Sequence, residues 1–212
     1  MKKQIKYYLI FILSVTIIFF LIFIIGKNEY NYTISAKKID EKGIEIPIIS
    51  NLSNEDTQNK INDLLQKSAL FYVDTENDNQ IQQFYDTKRC DEILSVAFYG
   101  TIFYTNAIHP INFFHTLNID VKSGEIIEND EIIKITNEVL LETLEKEWVY
   151  PNESEYKENK KLFLENQINN NEINLNSQNS PNDTINVYLT DKNVGVRINL
   201  PYDMGSYVVI EK

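Results

Sequence analysis

The chain reads as an α+β domain: a mainly antiparallel sheet packed by two or three helices, preceded by a single N-terminal transmembrane helix. Three observations predict this. An uncharged apolar run covers Tyr7–Ile25, directly after Lys2, Lys3 and Lys6. Beyond it, segments rich in β-formers alternate apolar and polar residues and are joined by short turn sequences, the pattern of hairpins. Two segments repeat their apolar residues at helical spacing, and a third is helical but highly charged. Runs of strands with interposed helices belong to an α+β architecture rather than to a parallel α/β one.

The apolar run comprises 19 residues. At about 1.5 Å per residue a helix of that length crosses a hydrocarbon layer of about 30 Å. A cleaved signal peptide would have an apolar core of roughly 7–15 residues and a small-x-small site after it. Here the core is longer, ends in bulky residues, and is followed by Gly26-Lys27-Asn28. The run therefore reads as an uncleaved anchor in the cell membrane. Lysines before the span and only Lys27 immediately after it place the N-terminus in the cytoplasm and the rest outside. The expected divisions are a tail at 1–6, an anchor at 7–26, and an outer domain whose two parts are 27–106 and 107–212.

After the first 28 residues the chain holds 16 basic and 31 acidic residues, a net charge of −15. Nucleic-acid binding needs a basic surface, so that class of partner is excluded. An acidic outer domain attracts basic partners at long range. Cys90 is the single cysteine, so the domain relies on an apolar core rather than on disulfides.

In order, Tyr30, Tyr32, Ile34 and Ala36 alternate as a half-buried strand. Ile44, Ile46 and Ile48 give a second strand, with Pro47 placing it at an edge. Asn54 caps a helix over Glu55–Tyr72, with Glu55 and Asp56 in its first turn and Ile61, Leu64, Leu65, Ala69 and Tyr72 on its buried face. Ile81–Arg89 is ambiguous. Glu92–Tyr104 and Ile111–Val121 are long antiparallel strands joined near Asn106–Pro110, and Lys122-Ser123-Gly124-Glu125 is a tight turn. A second helix is expected over Asn129–Trp148, capped by Asn129 or Asp130. A charged helix follows over Glu153–Ile168, and then an Asn-rich loop. Thr184–Thr190 and Val194–Leu200 form a hairpin, and Tyr207–Ile210 a last short strand.

Four ordered segments resemble the paired bacterial domains DUF4163 and DUF3298. They are the Ile44–Ile49 strand with the helix carrying Lys60-Ile61-Asn62; Tyr104-Thr105-Asn106-Ala107-Ile108-His109-Pro110; Asn118-Ile119-Asp120-Val121-Lys122-Ser123-Gly124-Glu125; and Val187–Lys192 with Pro201-Tyr202-Asp203-Met204-Gly205-Ser206-Tyr207. Asn106-Ala107 stands where those domains have a glycine pair. The resemblance implies an outer domain of the kind found in a lysozyme-sensing membrane-bound anti-sigma factor and before some polysaccharide deacetylase domains.

No residue set demands catalysis. His109 and His115 would lie about 20 Å apart on an extended segment at about 3.3 Å per residue, too far to share a metal. His109 beside Pro110 reads as a turn residue. No Gly-x-Ser-x-Gly elbow and no phosphate-cradling glycine loop occurs. Tyr202, Asp203 and Tyr207 group two aromatics with an acid, a combination that holds a sugar ring or a partner's side chain; packing at a sheet edge is the simpler reading of the two tyrosines. The ligand-binding candidates are thus His109, Tyr202, Asp203 and Tyr207, with no metal and no cofactor expected. The sequence favours a membrane-anchored binding or sensing module, for a cell-wall ligand such as peptidoglycan or a basic protein such as lysozyme. A wall-glycan enzyme and a structural accessory of another membrane protein are the alternatives.

Overall fold

A computed structural model describes residues 31–39, 44–73, 80–104, 109–150, 154–175, 183–191 and 193–211. The Tyr7–Ile25 run lies outside them, and no helix among the described residues is long and apolar enough to cross a membrane.

The fold is α+β, and every strand pairing is antiparallel. Strands β1 (Thr33–Ile39) and β2 (Ile44–Ser50) form a hairpin. Strands β3 (Gln80–Cys90), β4 (Ile93–Phe103), β5 (Ile111–Asp120) and β6 (Glu125–Ile126) form a four-stranded sheet in sequence order. A second four-stranded sheet has the order β7-β10-β9-β8, from Glu147–Tyr150, Tyr207–Glu211, Val194–Asn199 and Ile185–Leu189. Four helices occur among the described residues rather than two or three: α1 (Glu55–Ala69), α2 (Asn129–Ile132), α3 (Asn137–Leu144) and α4 (Ser154–Asn169).

The core residues sort into layers. Leu94, Val96 and Phe98 of β4 and Leu117 and Ile119 of β5 pack against α1 and the β1–β2 hairpin. Side chains alternate along a strand, so Ala97 and Phe114 face the other way and meet Tyr207 and Val209 of β10. The opposite face of the second sheet, with Val187, Val196, Ile198, Val208 and Ile210, packs on α3 and α4. The order is therefore helix and hairpin, sheet, sheet, helices. The β3–β6 sheet is covered on both faces, which is why Phe113–Ile119 is buried at every position.

The first helix starts as the sequence predicts. The Asn54 side chain accepts from Thr57 N at 3.1 Å. Its regular part ends at Ala69, three residues before Tyr72, where Leu70–Tyr72 turns off. In β2 the deepest residues are Ile44, Ile46 and Ile49, whereas Ile48 is half-buried. Asn62 of α1 explains how β2 is held: its carboxamide accepts from Ile49 N at 2.8 Å and donates to Ile49 O at 2.9 Å. A side chain here does the work of a neighbouring strand. Asn62→Ala should lower stability by about 1–2 kcal/mol, read as the urea midpoint followed by Trp148 fluorescence.

The expected second helix is divided. Thr136 caps a new helix by accepting from Val139 N at 3.2 Å, and the β-branched Ile132, Ile133 and Ile135 fall at the break. The N-cap of α2 is Glu128, whose N–H donates to Glu131 Oε1 at 3.0 Å, rather than Asn129 or Asp130. Trp148 lies in β7, paired with Ile210, because a short edge strand there extends the second sheet. The ambiguous Ile81–Arg89 segment is strand β3. The tight turn is present: Asp120 Oδ1 accepts from Lys122 N at 2.7 Å, and Gly124 takes φ +68°. The last strand, β10, lies in the middle of its sheet between β7 and β9.

The two sheets are stitched by side chains along β8, the second sheet's outer strand. An unpaired strand edge leaves backbone groups that need partners when buried. Asn129 donates to Ile185 O at 3.1 Å and accepts from Val187 N at 3.2 Å. Asn118 of β5 donates to Val187 O at 2.7 Å. Ser95 of β4 accepts from Leu189 N at 2.9 Å and donates to Asn118 Oδ1 at 2.6 Å. Three polar side chains thus complete the edge of β8 and fix it against the first sheet.

Candidate functional site

Where the sheets diverge beyond this seam they enclose a cleft of about 540 Å³, within the size range of small-ligand sites. The first sheet supplies Asp86, Thr87 and Lys88 from β3, Ser95, Ala97 and Tyr99 from β4, and Phe114 from β5. The second supplies Val149 and Tyr150 from β7, Tyr188 and Leu189 from β8, and Tyr207, Val209 and Glu211 from β10. Thr190 and Asp191 close the rim from the β8–β9 turn.

The aromatic lining is continuous. Phe114 lies 6.1 Å from Tyr99, 5.5 Å from Tyr188 and 5.6 Å from Tyr207, centroid to centroid, and Tyr207 lies 4.9 Å from Tyr150. Phe84, half exposed, extends the row to 5.9 Å beyond Tyr99. The hydroxyl end of Tyr188 lies across Gly195, its partner on β9; a Cβ at Gly195 would come 2.2 Å from the ring carbons Cε1 and Cζ. Gly195 therefore provides the floor on which that ring rests.

The phenols are held neutral. Burial pushes the Tyr188 hydroxyl above its ordinary range, and the negative charges of Glu211 and Asp86 push it further. Burial raises Tyr207, as does the neighbouring Tyr150, against the opposing pull of Arg197. Tyr99 is raised by burial and by the charge and hydrogen bond of Asp86. At the rim Lys88 and Asp191 form an ion pair linking β3 to the β8–β9 turn, and the lysine draws the Asp191 carboxyl below its ordinary value. Among the described residues Asp86 and Glu211 have no cation partner. The arrangement offers ring faces, hydroxyls and two open carboxylates. Among the described residues no histidine or cysteine lines it, and the Ser95 hydroxyl is already committed to the seam.

The residues singled out by sequence do not form one site. Tyr207 lines the cleft. Tyr202 lies on the outer surface in a 3₁₀ turn, 51% exposed, with its hydroxyl 3.5 Å from Pro110 O. That contact brings Tyr202 to the exposed bend of His109 and Pro110. Asp203 faces a separate shallow depression with Asn159 and Lys160. Positive φ angles at Gly205 and Ser206 turn the chain between Asp203 and Tyr207. Thr105–Ile108 of the resembling turn motif lie outside the described residues. His115 is fully buried, its Nε2 3.0 Å from Ser68 O. Among the described residues no cluster of three or more His, Cys, Asp or Glu is placed to hold a metal.

Sequence reasoning passed over Asp86, Tyr99, Tyr150, Tyr188 and Glu211. One available signal was the pair of adjacent aromatics Phe98-Tyr99 and Phe113-Phe114. Neighbours in a strand point to opposite faces, so such pairs indicate a sheet with apolar surroundings on both sides. Compared with known protein families and curated proteins, the chain matches no family model and no curated protein.

Proposed function

We propose that this chain is a membrane-anchored outer binding or sensing module, and that its ligand enters the cleft between the two four-stranded sheets. The cleft itself carries the reading: five aromatic rings and the carboxylates of Asp86 and Glu211, drawn from facing sheets, surround a space large enough for a ligand. The outer location is supported by the uncharged Tyr7–Ile25 run and the lysines before it. The four segments resembling DUF4163 and DUF3298 agree with such a module, and they suggest peptidoglycan or a basic protein such as lysozyme as the ligand.

The test uses the full chain in a neutral detergent, measuring its retention on peptidoglycan sacculi and on immobilised lysozyme. Tyr188→Ala should weaken retention about tenfold, as loss of a central aromatic contact does. Gly195→Ala should do the same from beneath, within the same sheet, by lifting the Tyr188 ring. Both variants should remain folded with a single cooperative urea transition, at some loss of stability because the Tyr188 ring is partly buried. If neither surface retains the parent protein, or both variants bind like it, the reading fails.

A second reading, an enzyme acting on wall glycan, is favoured by one observation: Asp86 and Glu211 approach the cleft from facing sheets, and glycosidases use a pair of carboxylates on opposite sides of the sugar. New reducing ends from muropeptides, abolished by Asp86→Asn, would establish it in place of the first.

A further inference from the structure

We infer that the cleft takes an organic cation: a primary ammonium or guanidinium group on a slender chain, seated between Asp86 and Glu211 against Tyr188. This rests on the cleft being the ligand site and specifies what that site selects.

Charge accounting inside the cleft carries the inference. Among the described residues its lining contains three acids, Asp86, Asp191 and Glu211, and one base, Lys88. Lys88 and Asp191 satisfy each other. Asp86 on β3 and Glu211 on β10 remain without a cation partner among the described residues and line the same cleft from facing sheets; Asp86 also accepts from the Tyr99 hydroxyl, and both charges raise the pKa of the Tyr188 hydroxyl. With Lys88 paired to Asp191 the remaining charge is negative, and a cleft with a net excess of one sign concentrates the opposite ion. A neutral sugar would leave both carboxylates without a counter-charge. A cation supplies one and also meets the ring faces of Tyr188 and Tyr99, which attract cations electrostatically.

The protein uses the same pairing elsewhere. Arg89 lies 4.0 Å over the Tyr32 ring, and Lys157 lies 5.5 Å from the centre of Trp148. Arg197 lies 5.8 Å from the Tyr207 ring. That contact already places a positive charge beside Tyr207, so a ligand cation is excluded from the Tyr207 end and directed to the mouth at Tyr188. The same chemistry occurs on a free polyamine and on a lysine or arginine side chain of a polypeptide.

The experiment is calorimetric titration of the full chain in neutral detergent. Probes are spermidine, an acetyl-Gly-Arg-Gly amide peptide and a neutral N-acetylglucosamine oligomer, at about 20 and about 200 mM salt. A cationic probe should bind, weaken severalfold at the higher salt because exposed charges are screened, and weaken at least about fivefold in Asp86→Asn and in Glu211→Gln. Preference for spermidine assigns a free polyamine; preference for the peptide assigns a polypeptide side chain. Both variants should unfold at the parent's urea midpoint. Binding of the cationic probes that ignores both salt and the two carboxylates overturns the inference. So does binding of the neutral oligomer alone; if that binding is lost in Tyr188→Ala, the cleft survives as a ligand site while its cation selectivity does not. Silence of all three probes toward a protein that is retained on sacculi through Tyr188 has the same meaning. Silence toward sacculi and lysozyme as well removes the ligand-site reading itself.

Discussion

Asn118→Leu is expected to lower the stability of the domain by about 2–4 kcal/mol. Leucine keeps the branched four-atom skeleton of asparagine but is bulkier, so the lost hydrogen bonds are joined by some crowding in the packed seam. Asn118 is fully buried and sits at the centre of the seam between sheets. Its Nδ2 donates to Val187 O at 2.7 Å, and its Oδ1 accepts from the Ser95 hydroxyl at 2.6 Å. Leucine leaves the Val187 carbonyl and the Ser95 hydroxyl proton without these partners, and both residues are buried. A buried polar group left unsatisfied costs about 1–3 kcal/mol, and two are orphaned here. Because Ser95 also holds Leu189 N, the damage should spread along β8. Urea unfolding followed by Trp148 fluorescence, which reports from the second core, checks this. A loss below about 1 kcal/mol would mean that apolar packing alone holds the two sheets together.

The second large effect is a loss of stability in acid that runs through His115. Its ring is fully buried, stacked 5.1 Å from Phe98, with Nε2 3.0 Å from Ser68 O and 3.1 Å from Ser68 Oγ. Tyr72 and Phe113 enclose it further. Burial lowers its pKa from 6.5 to about 4; the hydrogen bond to Ser68 opposes the shift, and the charge of Arg197 adds to it. The folded state therefore prefers the neutral ring more than the unfolded state does. The sign follows: the contribution is complete above the unfolded value of 6.5 and is lost as pH falls from there to about 4. A shift of that size corresponds to about 3 kcal/mol. Carboxylates also titrate in this range, so the informative quantity is the difference between the parent and His115→Leu, each measured at pH 7 and pH 4. The parent should lose about 3 kcal/mol more than the variant. Parallel pH curves would show that His115 does not control the acid limb.

These two residues mark the boundary of what the sequence made legible. Local signals were readable: the Asn54 cap, the Gly124 turn, the β8–β9 hairpin and the antiparallel pairing of β4 with β5 all follow from turn chemistry and side-chain period. The seam was not, because in Leu117-Asn118-Ile119-Asp120-Val121 the polar positions look like a solvent-facing row. Only the arrival of a second sheet makes Asn118 interior. The same blindness covers Asn62 and Asn129, whose carboxamides stand in for missing strands. The long second helix failed for a related reason. Trp148 fits a helical stripe by spacing, yet pairing with Ile210 and burial against α3 and α4 outweigh that local pattern.

The site followed the same division. Tyr207 was visible through its proximity in sequence to Tyr202 and Asp203, but the turn at Gly205 and Ser206 sends it to a different face. Its actual companions, Tyr99, Tyr150 and Tyr188, come from three other strands. Gly195 has no meaning as a single glycine until the Tyr188 ring is seen to lie across it. A cleft built between two sheets is a property of how they are held apart, so the Asn118 seam and the ligand site are linked: the first sets the spacing of the second.

The most direct measurement is a map of tyrosine ring signals by NMR, taken on the full chain in detergent during titration with lysozyme and with muropeptides. The account predicts that the ligand which binds shifts Tyr99, Tyr188 and Tyr207 first, and that Tyr188→Ala removes the remaining shifts. Shifts confined to Tyr202 and the His109 bend, with the cleft tyrosines unmoved at saturation, would contradict it.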